Sequence, residues 1–117
     1  MTSHKELKVW QKGIELVKSV YEVTQSFPAN EQFGLVSQMR RAAVSIPSNI
    51  AEGSARQSDK ETIQFLHISL GSLAELETQL IIAEKLNYIK EPQTYLNKII
   101  EIRSLILGLI KYLKNKK

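Results

Sequence analysis

His4 and His67 are the imidazoles with which this chain could hold a metal or move a proton. A di-iron bundle site needs inward carboxylates and Glu-x-x-His motifs. The residue three before His67 is Gln64, so that motif is absent. His67 reads as a boundary histidine, and His4 falls in an N-terminal stretch expected to be mobile. The serines lack a base with an orienting acid, so no hydrolytic triad assembles. No Gly-rich phosphate loop occurs either. The reading is of a non-enzyme with no catalytic residue, metal or cofactor.

Glu77 is the acid in the least ordinary place. It projects beside an apolar stripe made by Leu66, Leu70, Leu73 and Leu80. A buried carboxylate needs a partner or a proton. Either Glu77 pairs across helices with Arg40 or Arg41, or it reaches solvent at a helix edge. Neither reading calls for catalysis.

Basic residues gather in two places. Arg40, Arg41, Arg56 and Lys60 form one group, and Lys111, Lys114, Lys116 and Lys117 form the other. The second group either complements a helix C-terminus or neutralises phosphates, which gives salt-sensitive and weakly sequence-specific binding. The net charge of +4 permits an anionic partner without demanding one. The candidate nucleic-acid residues are therefore Lys111, Lys114, Lys116 and Lys117, followed by Arg41, Arg56 and Lys60. No RNA-reading aromatic motif accompanies them. Trp10 and the tyrosines read as core or interface anchors.

These residues must be positioned by helices. Leu7, Trp10, Ile14, Val17 and Tyr21 recur at three- and four-residue steps, which predicts a helix over about 5–26. Phe27-Pro28-Ala29-Asn30 breaks it. A second helix is expected over about 31–55. A third runs over about 59–87, opened by a capping box at Ser58 and Glu61. A fourth spans about 92–114, with Pro92 in its first turn and a near-heptad seam through Leu96, Ile99, Ile102, Ile106, Leu109 and Leu113. No stretch alternates with the period of a strand. Four long helices with short connections predict an all-α, antiparallel, up-down-up-down four-helix bundle. Gly71 and Gly108 fall inside helices, where close helix approach is the expected reason.

The chain's 117 residues suit one domain, and 43% hydrophobic with 24% charged residues suits a folded globular chain. It contains no cysteine, which excludes disulfides and thiolate sites. No apolar run approaches the ~20 residues of a membrane span. No signal-peptide apolar region stands in the first residues. A cytoplasmic protein with no membrane partner is expected.

The stretch QMRRAAVSIPSNIAEG, Gln38 to Gly53, carries a proline inside a helical pattern. Pro47 has no N–H to give and crowds the carbonyl of Ala43, a cost of about 3 kcal/mol in a helix interior. On one reading it kinks the second helix and shapes the bundle. Ser45, Ser48 and Asn49 then serve the freed backbone groups. On another, Arg41, Ser45, Ser48 and Glu52 form a small polar strip opposite the apolar stripe and make a second contact surface, either a subunit interface or an RNA site. Arg41, Ser45, Pro47, Ser48, Asn49, Glu52 and Glu77 are the interface or structural candidates.

That stretch resembles the bacterial four-helix-bundle family associated with intervening sequences in 23S ribosomal RNA genes. FLHISLGSLAELETQLIIAEKL and LKVWQKGIELVKSVYEVTQSFP extend the resemblance over about Leu7 to Tyr112. The shared residues are Arg41, Ser45, Ile46, Pro47, Asn49, Ile50, Ala51, Glu52 and Gly53, with a second block at Gly71 to Glu77. The resemblance implies a bundle without established enzymatic activity. It also implies similarity to the accessory variability protein of diversity-generating retroelements, a barrel-like pentamer that binds nucleic acid with its reverse transcriptase. The expected partners are therefore other copies of the chain, as a pentamer, and structured RNA or a nucleic-acid-binding protein. The alternative is a protein-interaction module that binds no nucleic acid.

Overall fold

The computed structural model describes residues 3–116. Four helices, α1 (Lys8–Thr24), α2 (Leu35–Ser54), α3 (Asp59–Lys85) and α4 (Gln93–Asn115), form a bundle with extents of 50 × 22 × 20 Å. Among the described residues there is no strand. Each helix packs on the next, and α4 packs back on α1. Gly13 of α1 meets Pro47 of α2, whereas Tyr21 and Thr24 meet Arg40. Ser69 bonds Ile46 and Ser72 bonds Ser45. Lys98 reaches Ser19 and Glu101 reaches Lys12. Rising numbers on one helix meet falling numbers on its neighbour, so adjacent helices run in opposite directions.

The core is the set of inward faces. Leu16 and Val20 meet Met39, Ile46 and Ile50, then Leu73, Leu76 and Leu80, then Ile99, Ile102 and Ile106, all fully buried. Burying one such side chain stabilises the fold by about 1.5–3 kcal/mol. Gln79 is buried among them with its Oε1 unpaired, and nothing in the fold explains it.

Two helix starts differ from the sequence expectation. The first helix begins at Lys8, because Ser3 caps a separate 3-10 turn at His4–Glu6 and Leu7 is extended. Gln11 Nε2 donates to the Lys5 carbonyl at 2.9 Å, and the His4 ring stands edge-on to Trp10 at 5.3 Å. His4 thus packs on Trp10. The second helix begins at Leu35 after a 3-10 turn at Ala29–Glu31. There the Glu31 carboxylate accepts the Leu35 N–H at 3.2 Å and the Tyr88 hydroxyl at 2.8 Å. That second bond, burial and the Glu31 charge all raise the pKa of Tyr88 above 10.0.

The connections are built from specific residues. Ser58 accepts the Glu61 N–H at 3.2 Å, the first half of the expected capping box of α3, while the Glu61 carboxylate takes the Ser58 hydroxyl at 3.0 Å in place of the Ser58 N–H. At the other end of α3, Asn87 takes φ 64°. Tyr88 N–H then reaches the Ala83 carbonyl and Asn87 N–H the Glu84 carbonyl, both at 2.9 Å. This double bond pattern is a Schellman cap, and Asn tolerates its left-handed position better than most residues.

Close helix approach occurs at other glycines than those expected. Gly71 and Gly108 face open space. A Cβ on Gly13 would stand 3.3 Å from Pro47 Cβ, and one on Gly53 would stand 3.0 Å from Phe65 Cβ. Pro47 is buried inside α2, which runs unbroken from Leu35 to Ser54.

Candidate nucleic-acid interface

Asp59 opens α3 and Lys116 follows α4, and their side chains meet at 3.2 Å. This pair fixes the start of α3 beside the end of α4. The end of α2 lies there too, because Thr62 Oγ1 donates to the Gly53 carbonyl at 2.8 Å. The first residues of α1 complete the group, since α1 runs antiparallel to α4 and the turn before it touches α2. One pole of the bundle therefore gathers Arg56, Lys60, Lys111 and Lys114, all exposed. It also gathers Lys5 and Lys8, which sequence reasoning missed. The signal for them was the up-down-up-down order itself, which puts the starts of odd helices and the ends of even ones together.

The pole's cations differ in availability. Among the described residues Lys60, Lys111 and Lys114 have no carboxylate partner. Lys116 is held by Asp59, so it is not the freely solvated charge that its terminal position suggested. Arg56 donates to Glu52 at 2.6 Å and lies over the Phe65 ring at 4.8 Å. Lys117 lies outside the described residues. Arg41 is exposed but stands apart from the pole, on the wall of a groove between α1 and α2.

The polar strip of α2 divides by role. Arg41, Ser48 and Glu52 are exposed. Ser45 turns toward α3, where it accepts from the Ser72 hydroxyl at 2.8 Å, and it also accepts from Asn49 Nδ2 at 2.9 Å. Asn49 Nδ2 further donates to the Ser45 carbonyl at 2.8 Å, and buried Ser69 donates to the Ile46 carbonyl at 2.9 Å. Among the described residues these side-chain bonds fall beside the Ala43 carbonyl and not on it. Ser45 and Asn49 are thus occupied in the α2–α3 seam.

Glu77 pairs with Arg103 of α4 at 3.0 Å, both partly exposed. Of the two readings, the cross-helix partner is corrected from Arg40 or Arg41 to Arg103, because Glu77 lies on the α4 side of α3, and the carboxylate also keeps the solvent-reaching edge position of the other reading. Arg40 instead donates to Thr24 Oγ1 at 3.0 Å and to the Tyr21 carbonyl at 3.3 Å, with its guanidinium over the Tyr21 ring. An exposed pair such as Glu77–Arg103 contributes about 0.2–1 kcal/mol. His67 is exposed on α3. Among the described residues no three His, Asp or Glu side chains converge as a metal site, and no helix is long and apolar enough to cross a membrane.

The family model of the 23S rRNA-intervening sequence protein matches residues 5–108. The chain belongs to that family. It is similar to a crystal structure of a protein with unknown function from the S23 ribosomal protein family of Bacteroides thetaiotaomicron. The two share 29% identity at a TM-score of 0.80, over 88% of this chain and 98% of that one. No curated protein sequence matches the chain.

Proposed function

We propose that this member of the 23S rRNA-intervening sequence protein family is a non-enzymatic, cytoplasmic accessory protein. It assembles with copies of itself, as a pentamer, and binds structured RNA through its basic pole. The observation that carries this reading is the Asp59–Lys116 contact, which sets Arg56 and Lys60 beside the C-terminal lysines though they are far apart in sequence. Lys60, Lys111 and Lys114 make no ion pair there among the described residues, with Lys5 and Lys8 beside them, and these cations outnumber the pole's acids Glu6, Glu52, Asp59 and Glu61. A ring of copies sharing one orientation multiplies that field and adds avidity. Phosphates are neutralised without base readout, so affinity falls steeply with salt and varies little with sequence.

The test is a titration of labelled structured RNA at several salt concentrations. Binding is expected to weaken steeply toward physiological salt. Replacing Lys111, Lys114, Lys116 and Lys117 by Gln should flatten that dependence while the helical signal stays unchanged. A second reading, a protein-interaction module without nucleic acid, draws on Phe33, which is 96% exposed beside an apolar groove. Absence of RNA binding even at low salt would favour it.

A further inference from the structure

Arg41 and Glu75 face one cleft along the α2–α3 seam, yet neither makes an ion pair among the described residues. The cleft holds about 380 Å³, and Gln38, Ala42, Ser45 and Ser72 complete its lining. Two hydrogen bonds set its register: Ser72 Oγ donates to Ser45 Oγ, and Ser69 Oγ donates to the Ile46 carbonyl. The helices are antiparallel, so the steps from Ser45 to Arg41 to Gln38 on α2 run beside the steps from Ser72 to Glu75 to Gln79 on α3. The hydroxyl pair therefore closes one end of the cleft. The opposite charges stand in the middle, and the two glutamines stand at the other end. Buried Ala42 lies beneath and gives the cleft its depth.

Gln79 supplies a second, independent observation. It is 4% exposed, and its Oε1 has no hydrogen-bond donor. A buried carbonyl oxygen left without a donor is costly. Gln38 stands opposite, is exposed, and does not supply one. Turning the Gln79 amide toward the cleft pairs that oxygen when an occupant brings an N–H.

We propose that this cleft binds a free α-amino acid with an amide side chain. Such a molecule carries a carboxylate and an ammonium on one carbon, which answers a guanidinium and a carboxylate facing each other at one level. The Arg41 guanidinium donates to the ligand carboxylate with the two-bond geometry that Arg favours. The ligand ammonium donates to Glu75. The side-chain amide then extends toward Gln38 and Gln79, where its N–H meets the orphaned oxygen. A purely anionic ligand would meet Glu75 with like charge, and a purely cationic one would meet Arg41. Direct pairing of Arg41 with Glu75 is the competing state, and an exposed pair of that kind contributes little. The volume lies within the range of small-molecule sites. The inference goes beyond the RNA reading, because the cleft lies along the side of the bundle and not at its basic pole.

The test is isothermal titration calorimetry of the full chain with L-glutamine. Saturable binding at one site per chain is expected. N-acetyl-L-glutamine lacks the ammonium and L-glutamine amide lacks the carboxylate, so each should bind about tenfold or more weakly, as loss of a charge-assisted bond does. Arg41→Gln and Glu75→Gln should each lose a similar factor for L-glutamine. Both positions are exposed, so the helical signal should stay unchanged. Gln79→Leu removes the orphaned oxygen, and it should keep the fold while losing the preference for L-glutamine over L-leucine. Absence of saturable L-glutamine binding, or binding that ignores Arg41→Gln and Glu75→Gln, would overturn the site. Equal affinity of the wild-type chain for L-glutamine and L-leucine would overturn the ligand class.

Discussion

Gly13 and Pro47 touch across the α1–α2 seam: a Cβ built on Gly13 would stand 3.3 Å from the Pro47 Cβ. The hydrogen at Gly13 and the proline ring are thus two halves of one contact. Proline costs α2 a hydrogen bond, and its buried ring fills the space that Gly13 leaves. Gly13→Ala should change stability by less than about 1 kcal/mol, because gained helix propensity offsets the tight approach. Gly13→Leu should destabilise by about 1–3 kcal/mol, as overpacking against a rigid ring does. In a Pro47→Ala background Gly13→Leu should cost less. Chemical denaturation of the four chains closes this cycle, and additive effects would dissolve the claimed contact. Crystal structures with and without Pro47 would also show whether α2 is kinked there. An identical helix axis in Pro47→Ala would mean the proline is merely tolerated.

Much of this bundle is legible in the sequence, because each helix buries one face and apolar spacing reports it. Ile46, Leu73 and Ile102 sit in the core for that reason, whereas on α1 the expected stripe is rotated: Val9, Leu16 and Val20 are buried and Ile14 and Tyr21 are exposed. The Ser58–Glu61 cap is equally legible, since both partners lie within one turn. What periodicity does not carry is which side chain meets which across helices. Glu77 goes to Arg103 and not to Arg40, and Gly13 answers Pro47, through rotations of helices about their axes. The helix starts at Lys8 and Leu35 were also hidden. They depend on Ser3 closing a 3-10 turn and on Glu31 being claimed by Tyr88, 57 residues further on. Of the candidate interface, the residue types were legible, and their gathering at one pole followed only from the order of the helices.

The Tyr88–Glu31 bond should give the protein an alkaline arm to its stability. The Tyr88 hydroxyl is neutral when it donates to Glu31, and ionising it would set a phenolate beside a carboxylate. Its folded pKa is raised above the ordinary 10.0, first by this bond, then by burial and by the Glu31 charge. A raised folded value means that the contribution is fully present below pH 10.0 and is lost as pH rises through the folded value. Comparison with Tyr88→Phe isolates it, because every other titrating group is shared. The stability difference between the two proteins should be constant at neutral pH and shrink on the alkaline side. A difference unchanged across that range would show that the bond does not persist in solution.

The basic pole can be separated from net charge by moving equal charge changes along the bundle. Lys60→Gln with Lys111→Gln strips two unpaired cations from the pole. Lys85→Gln with Lys90→Gln strips two exposed cations from the opposite end, past which α3 turns into α4. Both pairs lower the net charge equally, so a non-specific field would respond equally to each. If the pole contacts phosphate, only the first pair should weaken RNA binding at low salt and shallow the salt slope, by roughly 0.7–0.9 for each lost phosphate contact. Asp59→Asn supplies the opposite sign. It removes the carboxylate that holds Lys116, frees a cation at the pole, and should tighten binding. The helix-dipole cost of losing an acid from the first turn of α3, about 0.3–1 kcal/mol, is small enough to leave the bundle folded, which circular dichroism checks. Equal weakening by the two lysine pairs, or no gain from Asp59→Asn, would remove the pole as the site and leave Arg41 and the α1–α2 groove as the surface to test next.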